Sequence, residues 1–242
     1  MERIRRGIVL RGGNMNDSKM MESLSETIYR KLYNDTIFLK IEPGATLVVK
    51  DIAEEMSAST SPVRDAIDRL ADRGLVEKVP GRKSPIVSRI RFADCMQLLE
   101  VRQSLEAHAA YYAAKRIKDD ELEALRQKLE ALKITGKPDP IKQAKADAAF
   151  HKQIFAASHN EYFISAFARI YPRFLRYLLY VMKNLDVSKL NQYERHLPIY
   201  NAIACRSAVL ARDEVLDSAE YAFIIMHLGL EKADGLGGAL LR

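Results

Sequence analysis

The sequence predicts a mainly α-helical protein in two parts, an N-terminal winged helix-turn-helix carrying a small β-hairpin and a C-terminal all-α bundle. Three observations lead there. Apolar residues recur at helical spacing through most of the chain. Two β-prone runs, "LVEKV" and "PIVSRI", flank the turn-rich "PGRKS" before residue 90. From Phe92 to about Ala233, helix signal is broken only by short stretches such as "ITGKPD", "SHN" and "ARDE", with no strand among them.

Residues 1–20 are basic and rich in Gly, Asn and Ser, which predicts a loose tail. The winged domain is expected over 21–90. Leu24, Ile28 and Leu32 recur every four residues and give a first helix that stops at "IEPGATL". "VVKDIAEEM" is a second short helix and "SAST" a turn. "SPVRDAIDRLADRG" is a third helix, opened by capping hydroxyls, with Pro62 in its first turn and Gly74 at its close. The bundle takes 91–242, with helices expected near 92–117, 120–133, 140–158, 161–184, 189–210 and 214–232. Asp139, Asn160 and Asp213 are candidate N-caps. Pro198 removes a backbone donor just beyond His196 and bends its helix. The closing "GLGGALLR" is expected to fray.

With 48% hydrophobic and 29% charged residues, and no apolar run near bilayer length, a soluble globular protein is expected, with no membrane partner. "MERIRRGIVLRGG" has only a three-residue apolar island, too short for a secretory leader. Cys95 and Cys205 lie far apart and make no CxxC, so neither a disulfide framework nor a thiolate zinc site is indicated. A cytoplasmic location fits. The net charge of +6 and pI of about 9.2 permit nucleic-acid binding without establishing it.

In a helix-turn-helix the second helix of the pair enters the major groove by its N-terminal end. Thr60, Ser61 and Arg64 hold that end here, Arg64 with the fork that pairs with guanine. Arg69 and Arg73 lie further along, at phosphate-contact positions, and Arg82 and Lys83 tip the hairpin. The competing reading is a set of solvated surface charges. The run "PGATLVVKDIAEEMSASTSPVRDAIDRLADRGLVEKVPGRKSPIV" resembles the winged-helix domain of the GntR superfamily of bacterial transcription factors, most specifically in "SPVRDAIDRL" followed by "GLV". The resemblance implies that Ser61 and Arg64 contact DNA and that the residues around Gly81 form the wing. Two departures stand out: the family usually has Arg at Thr60, and the second Gly of the wing is replaced near Lys83.

"QLLEVRQSLEAHAAYYAAKR" resembles the start of the ligand-binding domain in the FadR subfamily of that superfamily. Arg102 shares a helical stripe with Leu98, Leu99, Leu105 and Ala109. Either a carboxylate ligand or a structural pairing with a nearby Glu would compensate it there. In "DAAFHKQIF", Asp147 and His151 sit one turn apart on the face that carries Ile154 and Phe155. They match the D..FH motif of the subfamily. The resemblance implies a metal centre completed by a histidine opening a later helix and one in the last, positions filled by His196 and His227. Burying a carboxylate and three imidazoles without a metal or tight hydrogen bonds would cost several kcal/mol. Such a donor set suits zinc, nickel or manganese.

Asn160 is a candidate effector contact beside its capping role, and His108 and His159 are read as core imidazoles. The expected function is a homodimeric DNA-binding regulator, a repressor by family habit. It would read a palindromic operator and sense a small organic acid through the metal. The alternative is a metal-dependent hydrolase with an accessory helix-turn-helix, disfavoured because no HExxH and no motif-placed general base accompany the ligands.

Overall fold

The computed structural model describes residues 15–186 and 190–233. Nine helices and one two-stranded sheet occur among them: α1 (Met15–Ile37), α2 (Val49–Glu55), α3 (Thr60–Asp72), β1 (Val76–Glu77), β2 (Ile86–Val87), α4 (Phe92–Arg116), α5 (Asp119–Glu130), α6 (Pro140–Ala157), α7 (Glu161–Asn184), α8 (Gln192–Ala204) and α9 (Ala208–Ala233). The chain is thus a winged helix-turn-helix followed by an all-helical bundle.

In the winged domain, Ile28 and Leu32 of α1 meet Val63, Ala66, Ile67 and Leu70 of α3 over Leu75 and Val87. The helix α1 starts at Met15, inside the stretch expected to be a tail; no Gly or Pro lies between Gly13 and the end of the helix to stop it. The hairpin is shorter than the β-prone runs promised, pairing only Val76 with Val87 and Glu77 with Ile86, with one further bridge from Thr46 to Ile86. The residue before α3, Ser59, makes no side-chain cap bond, contrary to the expected capping hydroxyl.

In the bundle, α4 runs along α9, and α6 packs between α4 and α7. Asp139 caps α6 by accepting from the Ile141 and Lys142 amides. The junction between α8 and α9 falls at Cys205–Ser207, not near Asp213. Arg206 adopts a left-handed conformation (φ 58°) that ends α8, and its guanidinium binds the Ile117 carbonyl and Asp119. Asp213, expected to cap, lies inside α9 paired with Arg212. Pro198 stays within α8, and a second internal proline, Pro172, lies within α7. Gly229 of α9 faces α7 so closely that a Cβ there would stand 2.4 Å from Val181 Cγ1.

The apolar core of the winged domain is continuous with that of the bundle. Leu70, Leu75 and Val87 join the same cluster as Leu98, Leu99, Phe174 and Leu178. The helix α7 is therefore a shared wall, with the winged domain on one side and the interior of the bundle on the other. No helix among the described residues is long and apolar enough to cross a membrane.

Candidate functional site

Asp147 and His151, one turn apart on α6, point into the bundle because Ala144, Ala148, Phe150, Ile154 and Phe155 bury that side of the helix. His196 joins them from α8, on the stripe completed by Ile199 and Ile203. All three are buried, and their potential ligand atoms lie within 4.8 Å of one another. They line an internal cavity of about 80 Å³ together with Arg102, Glu106, Phe174, Leu178 and Gln192.

Hydrogen bonds fix the tautomers. His196 Nδ1 lies 2.6 Å from the Gln192 carbonyl oxygen, which can only accept, so that nitrogen carries the proton. His151 Nδ1 is bonded to the Glu106 carboxylate in the same sense. Both Nε2 atoms are left to face one another at 3.0 Å. Asp147 completes the triangle, 3.3 Å from His196 Nε2 and 3.6 Å from His151 Nε2. Gln192 donates through Nε2 to Asp147 Oδ1 at 2.9 Å, and its own Oε1 is buried with no hydrogen-bond partner among the described residues.

Burial alone would raise the Glu106 pKa, but the charges of His151 and Arg102 outweigh it and hold the carboxyl down at about 2. Asp147 is driven the same way, far below the carboxylate range, by the two histidines against its burial. Burial and Arg102 disfavour a charged His151, yet Glu106 and Asp147 prevail and raise its pKa. The pocket therefore holds two carboxylates ionised and favours a cation between the imidazoles.

Arg102 is buried in an ion pair with Glu106 at 3.0 Å, with its guanidinium 4.1 Å from the centre of the Phe174 ring. It is both the paired structural arginine and a wall of the cavity. His227 is not brought into the cluster. Its neighbour Met226 faces the cavity, so His227 is turned about 100° around α9. Its ring meets Phe92 edge-on at 5.0 Å. Asn160 stays at the start of α7, accepting from the Tyr162 and Phe163 amides, and lies outside the cavity lining. His108 and His159 are exposed, not core: His108 bonds the Ser104 carbonyl, and His159 bonds Glu121. Motif reading missed Glu106 and Gln192, although each stands four residues from a predicted site residue, Arg102 and His196 respectively.

On the winged domain, Thr60, Ser61 and Arg64 are exposed at the start of α3, and Gly81, Arg82 and Lys83 are exposed at the hairpin tip, where Gly81 takes φ 81°. Arg69 does not stand free for a phosphate. It pairs with Glu26 at 2.8 Å and lies 3.9 Å from the centre of the Tyr29 ring, tying α3 to α1.

Two family models match the chain: the bacterial regulatory proteins of the gntR family over residues 24–84, and the FCD domain over residues 97–218. The HTH-type transcriptional regulator LutR of Bacillus subtilis is 32% identical over 200 residues, covering 73% of this chain and 89% of its own. The HTH-type transcriptional repressor RspR of Escherichia coli is 32% identical over 113 residues, covering 47% and 49%. Among solved structures, E. coli McbR/YncC superimposes with a TM-score of 0.68 at 18% identity, covering 86% of this chain and 98% of that one. A GntR regulator from Rhodococcus sp. RHA1 gives 0.66 at 19%, covering 85% and 98%. The exposed recognition-helix end, the wing and the helical domain behind them thus belong to a DNA-binding transcriptional regulator, not an enzyme, and the chain is a member of the GntR family with a C-terminal FCD domain.

Proposed function

We propose that the helical domain senses a small organic acid through a divalent metal held by Asp147, His151 and His196, and that the protein represses transcription as a homodimer on a palindromic operator. The observation that carries this reading is the pair of facing Nε2 atoms. With both Nδ1 positions engaged, neutral imidazoles would oppose two lone pairs at 3.0 Å, so the gap is filled either by a proton on one Nε2 or by a metal ion, and two ionised carboxylates beside it favour the higher charge. Donors bound at 2.0–2.1 Å to one ion stand about 3.0 to 3.4 Å apart, and the distances from His196 Nε2 to its two partners span that range. The unpartnered Gln192 oxygen is a further sign that the pocket is completed by something the chain does not supply.

Zinc, nickel or manganese suits one carboxylate and two imidazoles, and such an ion would offer its remaining positions to a carboxylate. The chain's own part is to orient and enclose. Glu106 and the Gln192 carbonyl fix the ring orientations, Gln192 holds Asp147, and Arg102 adds positive charge beside the cavity. A volume of about 80 Å³ holds roughly five waters, or an acid of a few heavy atoms. His227 is not needed.

The test is elemental analysis of the purified protein beside its His151→Ala and His196→Ala variants, followed by acetate titrations of the metal-loaded and metal-free forms. Metal at one ion per chain, lost in both variants, supports the platform. Equal metal content in all three proteins would refute it. Acid binding that survives metal removal would refute the role of the ion.

A further inference from the structure

Arg176 of α7 has the largest of the fully buried side chains, 2% exposed, yet among the described residues it forms no ion pair. Its one side-chain hydrogen bond among the described residues runs from Nη2 to the Ser88 carbonyl, 2.6 Å away, just past the wing strand β2. Its Nε is buried without a hydrogen-bond partner among the described residues, and so is Ser88 Oγ. Burial depresses the guanidinium pKa to about 10.

Ser88 is a junction in its own right, because its amide donates to the Leu75 carbonyl, two residues beyond the recognition helix and its cap. One turn away on the same face of α7, Arg173 lies against Gly74. On the opposite side of α7, Phe174 stacks on Arg102 and stands edge-on to His151 at 6.4 Å. A single turn of α7 thus touches the metal-ligand cluster through Phe174, the end of the recognition helix through Arg173 and the base of the wing through Arg176. A carboxylate is at hand as well: Glu77 accepts from the Arg89 amide at 3.1 Å, in the same peptide unit as the Ser88 carbonyl that Arg176 holds, and is also engaged by Arg91 at 3.3 Å.

We infer that Arg176 is a two-position latch between the helical domain and the DNA-binding head, held on the Ser88 carbonyl in the state described and moving to the Glu77 carboxylate when α7 shifts. A buried cation with one neutral acceptor leaves the closed junction poorly compensated, so a small displacement of α7 is enough to exchange partners. The input is the occupied cluster, and this half rests on the sensing role proposed above. The output is the setting of α3 and the wing. Charge without a counter-ion is what separates a latch from a plain packing contact.

The experiment is amide hydrogen exchange at Ser88 in the full-length protein, with and without zinc, for the wild type, Arg176→Met and Glu77→Gln. A merely structural arginine predicts a looser junction in R176M. The latch predicts the reverse: without zinc, Ser88 exchange slows about five-fold or more, because an apolar side chain of similar length removes the uncompensated charge. With zinc, wild-type exchange at Ser88 changes by a comparable factor, while R176M and E77Q bind zinc and show no change. Faster exchange in R176M overturns the latch, as does a zinc response retained in both variants. Zinc bound to the wild type without effect at Ser88 overturns it too. Should R176M fail to fold, E77Q carries the zinc comparison alone. If zinc does not bind, the sensing role fails and the latch falls with it for want of a trigger, an outcome distinct from zinc that binds without effect at Ser88.

Discussion

Glu106 touches two cationic groups at once, pairing with Arg102 on its own helix and fixing His151 across the bundle. Replacing it with Gln leaves a buried arginine uncompensated, so Glu106→Gln should lower the unfolding free energy by about 3 to 5 kcal/mol, read by urea denaturation of the metal-free protein. The pH dependence has a definite sign. A carboxyl depressed to about 2 contributes its stability above its ordinary value, and that contribution is lost as pH falls toward 2. Between about pH 4.5 and 2 the variant should therefore lose less stability than the wild type. For His227, facing Phe92, His227→Ala should keep its full metal content where His151→Ala does not, as elemental analysis would show. Asn160→Ala should cost about 1 kcal/mol as a lost helix cap and leave acid binding unaltered by calorimetry. Asp147 and His151 were legible as a pair because four-residue spacing within one helix fixes a common face. The facing of His227 was not, since the rotation of α9 is set by its contacts with α4 and α7, which no local pattern records.

At the level of elements, α3 has two arginines with different work. Arg64 is exposed near its start, whereas Arg69 is spent on Glu26 and Tyr29. Arg64→Ala should weaken binding to an operator fragment by about 1 to 3 kcal/mol and relax base preference in a mobility-shift series. Arg69→Ala should leave the salt dependence of DNA binding unchanged and lower the melting temperature instead, because its partner is in the same domain. Helix identities were readable from apolar periodicity, and Asp139 announced the start of α6 by its chemistry. The end of α8 was hidden because Arg206 takes the left-handed turn where a glycine would have signalled it. Isolated β-propensity likewise overstated the hairpin, since strand length depends on a partner, and only Val76 and Glu77 find one in β2.

Across the whole molecule, the division into a DNA-binding head and a helical domain was visible in the sequence. The continuity of their cores was not, because it is made by α7 residues such as Phe174 and Leu178 that look like ordinary bundle positions. The contact between Gly229 and Val181 sets how closely α9 can lie on α7. With α9 and α7 touching almost backbone to side chain, there is no slack on that side: Gly229→Ala should destabilise by about 1 to 3 kcal/mol in thermal unfolding, since the helices must part to admit one methyl. At this crossing the two helices have already closed to hydrogen against methyl, so any change that draws α9 nearer to α7 must first shorten the side chain at position 181.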